Sequence, residues 1–185
     1  MSEFEEFPKM ARLSRRVVIT EKIDGTNAQV FIAEDGSMKF GSRTRWITPE
    51  DDNYGFANWA HENREELQKL GPGRHFGEWW GAGIQRRYGL TEKRFSLFNV
   101  QRWGDAAVRP ACCHVVPVLY DGLFCTETAS DLIALLATDG SRAAPGFMDP
   151  EGIVIYHTAG GFGFKKTVKK DEMSKQQAAQ LAEAA

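Results

Sequence analysis

Short apolar runs separated by polar turn residues recur along most of the chain, a pattern typical of β-strands. The first two runs, at residues 17–20 and 28–32, flank Asp24 and Gly25, a pair that predicts a tight hairpin turn between two strands. A Glu-Asp-Gly turn precedes a third run at residues 37–41. Four further strands are predicted at residues 74–80, 95–100, 152–157 and 163–168.

One apolar run is interrupted by a proline. Residues 115–123 contain Pro117, which has no backbone N–H to give to a neighbouring strand. We therefore expect this run to form an edge strand. In the run at 74–80, the neighbours Trp79 and Trp80 are expected to pack on opposite faces of the sheet, because side chains alternate along a strand.

Three segments carry apolar residues at helical spacing instead. Residues 53–70 end at a Gly-Pro-Gly sequence that stops a helix, residues 128–137 form a short amphipathic segment, and residues 171–185 predict a terminal helix. Strands and helices together predict an α+β fold, with a largely antiparallel sheet and a few covering helices. With 185 residues, 42% of them hydrophobic, the chain is expected to be a single domain spanning residues 1–185.

Charge and cysteine content narrow the classes of function. The chain has 23 basic and 25 acidic residues, which excludes a generally cationic coat, so any site for a polyanion must arise from local clustering. The three cysteines are an odd number without paired spacing, which indicates a reducing compartment. Cys112 and Cys113 are adjacent, a spacing that chelates a metal poorly, so no structural zinc is expected.

Targeting signals are also missing from the sequence pattern. No run approaches the length of a membrane span, and residues 1–10 are acidic without the apolar core of a signal peptide. We therefore predict no membrane partner and a cytoplasmic location.

Several charged residues lie in or beside apolar strands. Lys22 follows the first strand, Glu78 lies within a run of aromatic residues, and Glu151 precedes another strand. Such side chains are seldom placed there unless they are paired or face a polar cavity. Each one taken singly also fits an outward-facing residue, and Lys22 beside a turn also fits a solvent-exposed lysine with no specific role. A lysine attacks as a nucleophile only when its amine is deprotonated, which a cationic or desolvating neighbourhood favours.

Six short motifs follow one another in a fixed order. They are KIDGTN at residues 22–27, GSRT at 41–44, FGE at 76–78, FSLFNV at 95–100, EGIV at 151–154 and FKK at 164–166. In this order they resemble the covalent nucleotidyltransferase superfamily of ATP-dependent ligases and mRNA capping enzymes, and most of all the RNA ligases of the phage RNA ligase 2 type. The resemblance covers about residues 17–170. It implies an adenylyltransferase domain with an ATP-grasp-like ligase fold of largely antiparallel sheets and flanking helices.

The resemblance implies a reaction in three steps. Lys22 would attack the α-phosphorus of ATP, expel pyrophosphate and carry AMP as a phosphoramidate. The AMP would then move to a 5′-phosphate end, and a 3′-hydroxyl would displace it. Phosphoryl transfer depends on alignment and on neutralising charge, so a divalent cation, Mg²⁺ or Mn²⁺, is an expected cofactor.

The resemblance also implies roles for individual residues. Glu151 would hold the metal, Glu78 the ribose hydroxyls, and Arg43 the ribose or the incoming 5′-phosphate. Phe98 would stack on adenine, although its run also fits a core position. The remaining nucleotide-binding candidates are Glu21, Asp24, Gly25 and Asn27, with Asp24 expected chiefly to shape the turn.

Two adjacent lysines, Lys165 and Lys166, are implied to contact the α-phosphate. Because neighbouring residues of a strand face opposite ways, one of them is expected to reach it, and we favour Lys165. The basic residues of the loop before residue 95 fit either a grip on a phosphate backbone or ordinary solvation; they are Arg86, Arg87, Lys93 and Arg94.

The substrate implied is a nucleic acid with 5′-phosphate and 3′-hydroxyl ends, RNA being favoured over DNA. A DNA ligase, a GTP-using capping-type enzyme and a non-catalytic binding module remain as alternatives. About fifteen residues follow the region of the resemblance, which ends at about residue 170. We therefore expect a helix at about 171–185 with no OB-fold or other appended domain, and a helper protein could take its place. The small size fits a phage or bacterial cytoplasm.

Overall fold

Two β-sheets organise the part of the chain that the structure describes, residues 3–172 of a computed structural model. The strands are β1 (Arg16–Lys22), β2 (Thr26–Ile32), β3 (Met38–Gly41), β4 (Trp46–Ile47), β5 (Gly73–Gly81), β6 (Lys93–Leu97), β7 (Cys113–Val115), β8 (Val118–Leu123), β9 (Gly152–His157) and β10 (Phe162–Thr167). The helices are α1 (Phe56–Glu62), α2 (Arg64–Gln68), α3 (Val100–Trp103) and α4 (Thr126–Asp139). The helix predicted at 171–185 lies, apart from its first two residues, outside the described residues.

The sheets have four and six strands. The four-stranded sheet has the order β10-β9-β1-β8, and the six-stranded sheet has the order β4-β3-β2-β5-β6-β7. Every pairing is antiparallel except that of β6 with β7. The predicted α+β class with largely antiparallel sheets is therefore confirmed.

The predicted hairpin around Asp24 and Gly25 is wrong. β1 pairs with β8 and β9, whereas β2 pairs with β3 and β5, so the two strands belong to different sheets. The turn lets the chain cross from one sheet to the other instead of folding back. A side chain on Gly25 would meet the backbone oxygen of Trp79 at 2.4 Å, so glycine is required by this close approach.

Two other predicted elements are divided in the structure. The helix predicted at 53–70 is α1 followed by α2, because Asn63 leaves helical geometry at φ −101° and ψ 18°. The strand predicted at 115–123 is mostly β8, while Val115 ends β7 in the other sheet; both are edge strands, so the predicted edge position is confirmed. Pro117 lies at the break, and its carbonyl accepts a hydrogen bond from the backbone N–H of Glu21.

Helices cover the outer face of each sheet. Val17 and Ile19 of β1 pack with Ile153 and Ile155 of β9 against α4. On the six-stranded sheet, Val30 belongs to a larger apolar cluster that includes residues of α1 and α2. Trp79 lies in that cluster and Trp80 in a third cluster, which confirms their packing on opposite faces. The inner faces of the two sheets are left to form a cavity.

Candidate active site

A cavity of about 590 Å³ lies between the inner faces of the two sheets. Its wall is apolar over much of its area, and Lys22, Asn27 and Glu78 are among its polar lining residues. Its lining residues are Val18, Thr20, Glu21, Lys22, Ile23, Asn27, Glu78, Phe98, Asn99, Val100, Gln101, Val116, Val154, Tyr156 and Thr158. A concave, largely apolar pocket with a few convergent polar groups is typical of a small-molecule site.

Lys22 reaches this cavity because of its position in β1. Residues of a strand alternate between its two faces, so Lys22 shares the inner face with Val18 and Thr20, whereas Val17 and Ile19 face α4. Its Nζ donates a hydrogen bond to Glu151 Oε2 at 2.5 Å. The carboxylate of Glu151 is buried and the side chain of Lys22 is 23% exposed, so the pair lies at the boundary between the protein interior and the cavity.

Glu151 is held next to Lys22 by the register of β1 with β9. Lys22 lies opposite Gly152, the residue that follows Glu151. A side chain at Gly152 would meet the backbone oxygen of Lys166 at 2.1 Å. Glycine therefore allows β9 and β10 to approach closely at the place where the lysine and the carboxylate meet.

Glu78 brings a second carboxylate to the same end of the cavity. It lies on β5 of the other sheet, and its oxygens accept hydrogen bonds of 3.0 Å from the backbone N–H of Gly25 and from Asn27 Nδ2. Burial raises the pKa of Glu78 to about 7, a rise that the positive charge of Lys22 opposes and the negative charge of Glu151 reinforces. A strongly shifted carboxyl in a cleft marks a candidate functional residue.

The carboxylates suit a divalent cation. No three His, Cys, Asp or Glu side chains within residues 3–172 form a ready-made metal cage. Magnesium is usually bound through one or two carboxylates together with substrate phosphates, and Glu151 and Glu78 offer that set beside Lys22. The residues present therefore fit a metal that arrives with a nucleotide.

Phe98 lies across the cavity from the four-stranded sheet. It follows β6, its backbone N–H donates to the carbonyl of Phe76, and its side chain is 42% exposed. The alternative that Phe98 is a core residue does not match this exposure. An exposed aromatic ring at the wall of an apolar pocket is suited to stack on a base.

A family model for RNA ligases matches residues 15–170, nearly the whole chain. The chain belongs to the RNA ligase family. Its fold is similar to that of a Naegleria gruberi RNA ligase mutant solved with ATP and Mn, at 24% identity and a TM-score of 0.64, over 85% of this chain and 51% of that one. A second mutant of the same enzyme, solved with AMP and Mn, matches at 23% identity and a TM-score of 0.62, over 84% and 50%.

This member of the RNA ligase family spans about half the length of those Naegleria enzymes. At such identities the likeness shows a shared fold. No curated protein matches the chain in sequence. Over residues 3–172, the helices are all too short or too polar to cross a membrane.

The two lysines of the last motif face opposite sides of β10. Lys165 lies opposite Val154, a residue that lines the cavity, and Lys166 lies opposite Ile153, a residue of the outer core. Lys165 is exposed, whereas Lys166 is half-buried and its Nζ lies 3.3 Å from Asp171. Directly opposed residues share a face, so the register places Lys165 on the side of Lys22.

Two other predicted nucleotide-binding side chains are engaged elsewhere. The Glu21 carboxylate is buried and accepts hydrogen bonds from Ser141 Oγ and from the backbone N–H groups of Arg142 and Ala143. Burial raises the pKa of Glu21, and these three donors oppose the rise. The side chain of Glu21 therefore anchors a loop, and its backbone is what borders the cavity.

Asp24 is tied into an ionic network that the sequence pattern did not reveal. Its carboxylate accepts a 3.0 Å hydrogen bond from Arg86 Nε, and its backbone N–H donates to the hydroxyl of Tyr88. Arg86 also pairs with Asp149, which in turn pairs with Lys169. The network links the crossing after β1 with the segments before β9 and after β10, consistent with the predicted role of Asp24 in shaping the turn.

The basic residues of the loop before residue 95 are also largely paired with other groups of the protein. Besides Arg86, Lys93 Nζ donates to the carbonyl of Tyr54, and Arg94 pairs with Glu92. Arg43, by contrast, is exposed on the turn between β3 and β4 and has no hydrogen bond or ion pair with any residue from 3 to 172. It lies outside the lining of the cavity.

Glu78 should make stability depend on pH. Its raised folded-state pKa means that the unfolded chain ionises first, near pH 4.5, while the folded protein keeps the proton up to about pH 7. The free energy of unfolding should therefore be highest below this window and fall as pH rises through it, by roughly 2–3 kcal/mol. Denaturant unfolding at pH 5 and pH 8 should show this loss in the wild type and a much smaller one in Glu78→Gln.

The matched control is Glu65→Gln, on the exposed side of α2. An equal loss of stability in the wild type and in Glu78→Gln would mean that Glu78 does not carry the pH dependence.

Proposed function

We propose that the protein is an ATP-dependent RNA ligase that forms lysyl-AMP on Lys22 and then joins a 5′-phosphate end to a 3′-hydroxyl end. The observation that carries the proposal is the pairing of Lys22, which lines a cavity of about 590 Å³, with the buried Glu151. Membership of the RNA ligase family supports the reaction class, and the Naegleria RNA ligases of the same fold were solved with ATP or AMP and Mn.

The cavity has a place for each part of ATP. Phe98 offers an aromatic face to adenine, and Glu78 offers carboxylate oxygens to the ribose hydroxyls. The triphosphate would then point toward Lys22 and Lys165. A bound divalent metal, held by Glu151, would neutralise charge at the α-phosphate.

The first step is an attack by the amine of Lys22. Glu151 accepts a hydrogen bond from Nζ and is therefore placed to take the proton that the ammonium must lose. The N–P bond forms as the bond from the α-phosphorus to pyrophosphate breaks, and the second amine proton leaves with pyrophosphate or to water. Lys165 would stabilise the charge that develops on the α-phosphate oxygens.

The later steps regenerate the lysine. An oxygen of the RNA 5′-phosphate attacks the α-phosphorus, the N–P bond breaks and Lys22 recovers its proton. The 3′-hydroxyl oxygen then attacks the 5′-phosphate phosphorus, and AMP leaves as the new phosphodiester bond forms. Arg43, exposed on the turn between β3 and β4, is proposed to hold the incoming 5′-phosphate, because a guanidinium binds phosphate in a bidentate manner.

The register of β10 predicts unequal roles for its two lysines. Lys165→Ala should reduce labelling by ATP about 10- to 100-fold, because a cation that faces the phosphate is lost. Lys166→Ala should label within about threefold of the wild type, since Lys166 pairs with Asp171 on the other side of the strand. Initial rates of labelling for the two variants test this, and equal losses would contradict it.

The proposed function is tested by incubating the protein with α-labelled ATP or GTP and a divalent metal, then separating it under denaturing conditions. Label from ATP that survives denaturation supports the proposal, and label from GTP alone would indicate a capping-type reaction. Joining assays with 5′-phosphorylated RNA, DNA and hybrid strands then identify the substrate. No label with Mg²⁺ or Mn²⁺ would indicate a binding module instead.

A further inference from the structure

The inner face of the six-stranded sheet continues beyond the cavity as an exposed surface. The strand register places four residues in one row across β4, β3, β2 and β5, and the row continues to Phe98, which directly follows β6; the four are Trp46, Gly41, Gln29 and Phe76. Strands lie about 4.8 Å apart, so this row is roughly 19 Å long. The next row contains Lys39, Phe31 and Arg74. We call these two rows, without Phe98, the aromatic strip.

Large aromatic side chains of the strip face solvent. Trp46 is 44% exposed and Phe76 is 51% exposed. The guanidinium of Arg74 lies 4.9 Å from the ring centre of Phe31 and 5.3 Å from that of Trp46, so it stacks against both. Arg74 also donates a 3.0 Å hydrogen bond to Gln29, which fixes its plane on the sheet. The strip thus presents flat, ordered π surfaces.

The strip is also locally positive in a chain whose net charge is −2. Lys39 and Arg74 belong to it, and Arg43 and Arg45 lie on the adjoining turn, all of them exposed. Asp51, which follows β4, offsets one of these charges by pairing with Arg45. Exposed aromatic rings beside cations are the combination that binds single-stranded nucleic acid, because bases stack on the rings while the cations track the phosphates.

We propose that the aromatic strip binds a few unpaired nucleotides of the RNA strand whose end lies in the cavity. The proposal rests on the proposed function, and it adds which part of the RNA is held and where. Continuity supports it, since Phe98 forms the wall of the cavity and also stands next to Phe76 in the row. A paired duplex keeps its bases stacked on one another, so the strip selects single-stranded RNA.

The test measures binding of a fluorescent single-stranded RNA of about twelve nucleotides, within the range that such surfaces occupy. The RNA carries a 5′-hydroxyl, so it cannot accept AMP. Trp46→Ala should raise the dissociation constant about tenfold, whereas Trp46→Phe, which keeps a stacking ring, should remain within about threefold of the wild type. RNA binding should also quench the fluorescence of Trp46.

The matched control is Phe164→Ala, an equally exposed aromatic on β10 of the other sheet, at 54%. It should bind the RNA as the wild type does. Lys39→Ala should lower the slope of log affinity against log salt by about 0.7, the value for one lost phosphate contact on a single strand. A packing defect would not change that slope in this way.

Self-labelling with ATP, without RNA, is measured on the same preparations. Trp46→Ala should label at the wild-type rate. If the wild type itself does not label, the proposed function fails, and the RNA-binding measurement still tests the aromatic strip independently. Wild-type RNA affinity in both Trp46→Ala and Lys39→Ala overturns the proposal. Equal affinity for a duplex and a single strand also overturns it. So does a Trp46→Ala variant that binds RNA as the wild type does but has lost self-association, because the strip would then be a contact between copies of the protein.

Discussion

Replacing Lys22 with alanine should abolish covalent labelling by ATP, with a fall of at least about three orders of magnitude, to background. The reason is that the amine of Lys22 is the atom that would bond to phosphorus, and loss of a nucleophile removes the covalent pathway altogether. The measurement is the initial rate of label retained on the denatured protein at saturating ATP and metal.

A second variant separates chemistry from folding. Lys22→Arg keeps a cation beside Glu151, but a guanidinium stays protonated and does not attack. It should fold with a melting temperature close to that of the wild type and still fail to label. Lys69→Ala, which removes an exposed lysine of the α2 region that pairs with Glu66, is the matched control and should label normally. Retained labelling in Lys22→Arg would assign the nucleophile to another residue.

Replacing Glu151 with glutamine should slow labelling by about 100-fold. Glutamine preserves the size of the side chain, but it can neither take the proton from Lys22 nor bind a divalent cation as strongly. Raising the metal concentration should recover part of the loss if metal binding contributes. Rates measured over a range of Mg²⁺ and Mn²⁺ concentrations therefore divide the effect between the two causes.

Asp121→Asn provides the control for Glu151→Gln. Asp121 is an exposed carboxylate of the same sheet that pairs with Arg16 across β1 and β8, and it is not one of the residues that line the cavity. This variant should label at nearly the wild-type rate, since exposed ion pairs contribute about 1 kcal/mol or less. Normal labelling in Glu151→Gln would overturn the role of Glu151 in both proton transfer and metal binding.

The sequence was sufficient to predict the positions of most strands but not which strands pair with one another. Hydrophobic alternation identifies β1 and β2 because it depends on neighbouring residues. Whether two strands pair depends on contacts between distant residues, and β1 pairs with β8 and β9 far along the chain. The turn at Asp24 and Gly25 has the composition of a hairpin, yet it carries the chain between two sheets. Local turn chemistry does not distinguish these outcomes.

In the candidate site, too, the sequence predicts which residues stand out but not which groups they contact. Glu78 stands out in the sequence as a charge within an apolar strand and Lys165 as part of a motif that the resemblance implies, and both lie on the inner faces of the sheets. The carboxylate of Glu21 meets the same criterion but is occupied by the loop at 141–143. Sequence shows that a buried charge needs a partner, but it does not show whether the partner is a ligand or the protein itself. The partners of Arg86 were hidden for the same reason.

The place of β1 in the four-stranded sheet has a consequence during synthesis. β2 to β7 form a sheet from consecutive segments, so that sheet can assemble while the rest of the chain is still being made. β1 is synthesised before all of them, yet it is an inner strand between β8 and β9, which emerge from the ribosome much later. Lys22, the proposed nucleophile, is thus among the first groups made and among the last to reach its place beside Glu151. A nascent chain without β8 and β9 would lack this pair, so, under the proposed function, it would not react with ATP.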